Sequence, residues 1–230
     1  MEEDLKITNL GKSFGNLKVF DNFSISFREN QVNCILGPSG CGKTTLLNII
    51  CGSLKADSID RMPFHKHRFS YVFQEPRLLP WKTTIQNILF TLKDKVPENK
   101  LSHTAEEYLE LVELDQFRHY YPHQLSGGMK QRLSLARAFS FPSDIILMDE
   151  PFKALDIKLK NNLIRRFREL WKKDQRTVIF VTHDVDEALK LGHKIMVFST
   201  PPVKILKEYQ NSAENSLRRE ITDLMSREDV

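Results

Sequence analysis

The sequence predicts an α/β fold: a mainly parallel sheet, preceded by antiparallel strands at the N-terminus and interrupted by an inserted helical lobe. Three observations predict it. Apolar runs at 32–36, 145–148, 177–181 and 194–199 do not alternate with polar residues, the pattern of strands buried on both faces. Stretches of good helix formers at about 43–51, 156–172 and 185–191 separate those runs, as in parallel α/β sheets. From about 84 to 140 the chain reads as helix after helix, with Ala105, Tyr108, Leu109 and Val112 at the i, i+3, i+4, i+7 spacing of a buried face.

Taken in order, β-type runs at 5–8 and 23–27 open the chain and predict the antiparallel strands. The strand at 32–36 runs straight into Gly37, and a helix follows the glycines. A strand at 69–73 ends at Gln74 and leads into the helical segment. No internal repeat or low-complexity stretch appears. The expected organisation is one domain over 1–230, with a helical lobe at 75–140 and a polar tail at 211–230. Within that tail Leu217, Ile221, Leu224 and Met225 could line one face of an amphipathic helix.

Composition narrows the function. The 230 residues are 40% hydrophobic and 28% charged, an ordinary balance for a globular protein with a sizeable core. No apolar run approaches the roughly 18–20 residues that span a bilayer, and the acidic start MEEDLKITNL does not read as a signal peptide. The cytoplasm is the expected compartment. A net charge of +4 without a long basic run gives no sign of nucleic-acid binding. Cys34, Cys41 and Cys51 fit neither a disulfide framework nor a zinc site and read as small semi-buried residues. His65 and His67 flank a lysine in what reads as a solvated loop.

Motifs carry the chemistry. GPSGCGKTT places Gly37, Gly42, Lys43 and Thr44 in the pattern G-x-x-x-x-G-K-[ST], between a strand and a helix. Such a loop turns backbone N–H groups around phosphate oxygens, with Pro38, Ser39, Gly40 and Cys41 completing it. Lys43 reaches the β- and γ-phosphates, the Thr44 hydroxyl ligates Mg²⁺, and Thr45 lies where the α-phosphate would. The run ILM ends in Asp149-Glu150-Pro151. A strand end delivers carboxylates to the ligand side of an open α/β sheet, so Asp149 suits Mg²⁺ and Glu150 the attacking water. The stretch LSGGMKQR, 125–132, is a second helix start suited to an anion. As a plain N-cap, Ser126 would be accounted for, but the two glycines after it would not.

In this order, GPSGCGKTT, Gln74, LSGGMKQR, ILMDEP, ALD and VTHD resemble the nucleotide-binding subunit of an ABC (ATP-binding cassette) transporter over about 4–208. The resemblance implies the ABC ATPase fold, a P-loop NTPase core with a helical lobe. It also implies ATP and Mg²⁺ as cofactors and a head-to-tail dimer holding two ATP molecules. Ser126, Gly127 and Gly128 would then cap the γ-phosphate held by the other copy. Gln74 would contact Mg²⁺ or the attacking water, His183 would sense the γ-phosphate, Asp156 would cross to the partner, and Phe14 would stack on adenine.

The stretch QEPRLLPWKTTIQNI together with MDEPFKALD is similar to importers of the nitrate, sulfonate, taurine and thiamine-precursor group. This implies integral-membrane permease subunits and an extracytoplasmic solute-binding protein as partners, with the chain at the cytoplasmic face of the membrane. Trp81, Leu78 and Leu79 could dock the permease or fill the lobe core. Two features depart from the family. Only 31 positions separate Lys43 from Gln74, which removes much of a small sheet on the adenine side. Lys153 stands where glycine or serine is usual. Rival readings are a soluble DNA-repair or translation ATPase, a module with dead chemistry, and a detached exporter cassette. The single cassette, the intact Lys43, Asp149, Glu150 and His183, and the absence of a fused membrane span respectively count against them.

Overall fold

Strands β1 (Leu5–Phe14) and β2 (Leu17–Phe27) pair antiparallel about a turn at Gly15 in the computed structural model, which describes residues 4–153, 155–211 and 215–226. Both strands outrun the short apolar runs at 5–8 and 23–27. Register shifts between Ile7 and Ser13, and left-handed φ at Asn9 and Asn22, break the alternation that a two-residue period depends on. The segment after α1 is tied to β1 by two isolated bridges, Thr8 to Arg61 and Gly11 to Ser58. Asp57 fastens it, accepting from Lys12 Nζ at 2.7 Å and from Ser13 N at 2.7 Å.

The chain divides into two compact units, Met1–His67 with Arg176–Val230, and Arg68–Gln175. In the first, β3 (Val32–Leu36) lies between β6 (Thr177–Thr182) and β7 (Lys194–Phe198), parallel to both. Every residue of these three strands is buried, Asn33 and Lys194 among them, as in mainly apolar strands covered on both faces. Strand β8 (Ile205–Gln210) adds antiparallel to β7. Its partly exposed Lys-Glu-Tyr-Gln stretch gives no strand signal in the sequence. Helices α1 (Lys43–Ile50), α6 (Val185–Leu191) and α7 (Asn215–Ser226) complete the unit.

Helix α7 meets the expectation for the tail: Leu217 and Ile221 are buried, and Leu224 and Met225 are half-buried. Ion pairs Arg218–Asp186 and Lys207–Glu220 hold it. The remainder of the expected tail, 212–214 and 227–230, lies outside the described residues.

In the second unit, β4 (Phe69–Val72) runs parallel to β5 (Ile145–Asp149). Helices α2 (Thr84–Leu92), α3 (Glu98–Leu111) and α4 (Gly127–Ser140) share an apolar core that includes Ile88, Ala105, Leu109, Val112 and Leu133, and α5 (Ile157–Asp174) follows β5. Thr83 and Gln86 form a reciprocal capping box that starts α2. Among the described residues no helix is long and apolar enough to cross a membrane. The three cysteines are free, with Cys34 and Cys41 buried.

Candidate functional site

The phosphate loop belongs to the first unit. Strand β3 ends at Leu36 and the chain turns through Gly37 to Gly42 into α1. Gly42 precedes the helix with φ 107°, and a Cβ there would lie 2.6 Å from Val19 Cγ1. Glycine alone fits that backbone and that space. No side chain caps α1, so its first N–H groups are suited to an anion. The Lys43 ammonium is held inside the loop, donating to the carbonyls of Gly37 and Pro38 at 2.7 Å each. Ser39, Gly40 and Thr44 are exposed, Pro38 and Thr45 half-buried. Burial pushes the Cys41 thiol up against the opposing pull of Lys43, which keeps it neutral where a thiolate would repel phosphate.

His183 follows β6 with its side chain exposed. The turn around it is fixed by a buried pair that the motif did not reveal. Thr182 Oγ1 donates to Glu187 Oε2 at 2.6 Å and accepts from Asp184 N at 3.0 Å. Asp184 in turn caps α6 through the N–H groups of Asp186 and Glu187. Phe14 is 49% exposed at the end of β1, with the Lys12 ammonium 5.3 Å from its ring centroid. An open face of this kind can take a flat base.

The carboxylates belong to the second unit. Strand β5 buries Asp149, whose Oδ2 accepts from the Tyr71 hydroxyl at 3.5 Å. Glu150 sits in the left-handed region at φ 42° and is also buried. A buried carboxylate on left-handed backbone at a strand end is a candidate functional position. The Lys153 N–H closes the turn on the Glu150 carbonyl at 3.1 Å, and its ammonium meets Glu150 Oε2 at 2.8 Å. Gln131, from the LSGGMKQR stretch, donates through Nε2 to the Pro151 carbonyl at 2.5 Å. Helix α4 is thereby tied to the carboxylate turn.

At the start of α4, Ser126 is the N-cap and accepts from Met129 N at 3.3 Å. The glycines after it differ. A Cβ on Gly128 would lie 2.1 Å from Leu159 Cδ2, whereas one on Gly127 would meet nothing within 4 Å. The expectation that a plain cap leaves both glycines unexplained is therefore corrected. Close packing against Leu159 of α5 gives Gly128 a structural reason, while Gly127 has none in this packing.

Gln74 is exposed two residues beyond β4. Asp156 caps α5, accepting from Leu159 N at 2.9 Å; Ala154 of the ALD motif lies outside the described residues. The docking candidates separate as well. Trp81 is 70% exposed, Leu78 packs on the helical core, and the Leu79 backbone is pinned by Asn87.

Thr44 and Asp149 offer a hydroxyl and a carboxylate, hard oxygen donors of the kind Mg²⁺ takes. Among the described residues no three His, Cys, Asp or Glu side chains converge on a metal site.

Comparison with known proteins gives the chain's relatives. The family described as ABC transporter matches residues 20–153. An uncharacterised ABC transporter ATP-binding protein of Methanocaldococcus jannaschii is 39% identical over 224 residues, covering 89% of this chain and 81% of that protein. The aliphatic sulfonates import ATP-binding protein SsuB of Bacillus cereus is 38% identical over 208 residues, covering 87% of this chain and 81% of its own length. A dimeric ATP-binding cassette solved in a post-hydrolysis state with ADP and phosphate superposes with a TM-score of 0.76. It is 29% identical and covers 89% of this chain and 97% of that one.

Proposed function

The chain belongs to the ABC transporter family, and on that premise we propose that it is the ATP-hydrolysing subunit driving an importer. The observation that carries the reading is the phosphate loop, with Lys43 already seated between the Gly37 and Pro38 carbonyls. ATP would draw that ammonium onto its β- and γ-phosphates, while the loop and the α1 N–H groups enclose them. Phe14 stacks on the adenine. Glu150 accepts the proton of the water that attacks the γ-phosphorus, ADP leaves, and His183 and Gln74 orient the water and the γ-phosphate. Thr44, Asp149 and Gln74 would hold Mg²⁺, which when bound neutralises charge on the phosphates.

Two copies pair head to tail, so that Ser126, Gly127 and Gly128 of each cap the ATP of the other and Asp156 crosses between them. Relatives named as sulfonate and sulfate/thiosulfate import ATP-binding proteins support an importer. Residues 75–140 form the lobe that engages a permease, which an extracytoplasmic solute-binding protein supplies, and the subunit works at the cytoplasmic face of the membrane. Trp81, largely exposed, is its docking side chain. Trp81→Ala should lose about tenfold in permease capture, within the range of an aromatic anchor at an interface, with the ATPase rate and Tm of the isolated subunit unchanged. Capture at wild-type level would remove Trp81 from the interface.

A further inference from the structure

The carboxylate turn holds one feature that the proposed reaction does not use. Glu150 Oε2, on the carboxylate that should meet the attacking water, meets the Lys153 ammonium at 2.8 Å. The contact is built into the chain, because the same four-residue turn is closed by the Lys153 N–H on the Glu150 carbonyl at 3.1 Å. The Glu150 side chain is 10% exposed and that of Lys153 40%. The carboxylate end is thus poorly solvated, and there a charge counts for more than on open surface. The left-handed Glu150 backbone and the Gln131 bond to Pro151 lie within the same turn as the pair.

We propose that Lys153 is a positioning residue that restrains the general base. While its ammonium is ion-paired with Oε2, the carboxylate is engaged within its own turn, and the base works at full rate only once the pair separates. The turn leads within three residues to Asp156, the cap of α5. Pairing with a second copy would separate ammonium from carboxylate. Hydrolysis by an isolated subunit would thereby be held down until the assembly closes. The inference rests on the reading of Glu150 as the base.

Two substitutions test it. Lys153→Met keeps the length of the side chain and removes its charge; Lys153→Arg keeps the charge. Steady-state ATP hydrolysis by the purified full chain should rise roughly three- to fivefold in kcat with Lys153→Met, about the ceiling for a partly exposed ion pair. KM for ATP should stay within about twofold, since the lysine touches no phosphate in this scheme. Lys153→Arg should retain the wild-type rate.

In a Glu150→Gln background, Lys153→Met should add no hydrolysis and should leave the ATP concentration for dimer formation, read by size-exclusion chromatography, unchanged. An unchanged or lowered kcat in folded Lys153→Met would overturn the restraint. So would an effect confined to KM. If Glu150→Gln itself hydrolysed ATP normally, the base assignment would fail instead, which keeps the two outcomes distinct.

Discussion

Glu150→Gln is expected to bind ATP as the unaltered chain does and to hydrolyse it roughly 10²- to 10⁴-fold more slowly, the contribution of a positioned general base. The amide has nearly the shape of the carboxylate, so the turn closed by Lys153 on the Glu150 carbonyl survives. What disappears is the group proposed to take the proton of the attacking water. In the proposed scheme phosphate binding rests on Lys43 and the α1 start, which the substitution leaves untouched. ATP should then be bound but not consumed, and the chain should accumulate as an ATP-held dimer in size-exclusion chromatography. A near-normal rate would remove Glu150 from the chemistry.

Gly127→Ala and Gly128→Ala are expected to fail in different ways. At Gly128 the new methyl would lie 2.1 Å from Leu159 Cδ2, so Leu159 must turn aside or α4 and α5 must part. Overpacking of this kind costs about 1–3 kcal/mol, which for a chain of this size lowers Tm by roughly 3–10 °C. At Gly127 a methyl meets nothing within 4 Å. Tm should be unchanged or slightly higher, because alanine suits a helix better than glycine. The loss should fall instead on ATP-dependent dimer formation, where the methyl would stand between the helix start and the γ-phosphate. Thermal melts and dimerisation of the two variants separate internal packing from ligand contact.

Much of this was legible in the sequence because it is local. A glycine loop between a strand and a helix, an acidic pair after an apolar run, and Leu217 and Ile221 four apart in the tail are short patterns. The structure places each in the expected element. What was missed depends on partners separated in sequence, or on polar edges. Gln131 reaches Pro151 across 20 positions, and Gly128 is fixed by Leu159 on another helix. Strand β8 shows no apolar run because half of it faces outward. The Thr182–Glu187 bond that holds the His183 turn looks in sequence like ordinary surface polarity. Lys153 was visible as an unusual residue, but its carboxylate partner became evident only with the turn in three dimensions.

The central claim is that each ATP is enclosed by two copies of the chain, and a mixing experiment tests it most directly. Lys43→Ala removes the phosphate ligand, and Ser126→Arg puts bulk and charge at the start of α4. Each variant alone should be inactive. In a head-to-tail mixture, one site combines both damaged elements. The other combines the intact phosphate loop of the Ser126→Arg chain with the intact LSGGMKQR of the Lys43→Ala chain. The account predicts that mixing restores ATP-dependent dimer formation and at least one round of hydrolysis at that whole site. If each copy used its own Ser126, no mixture would contain a whole site. Absence of recovery, with mixed dimers demonstrated by cross-linking, would contradict the account.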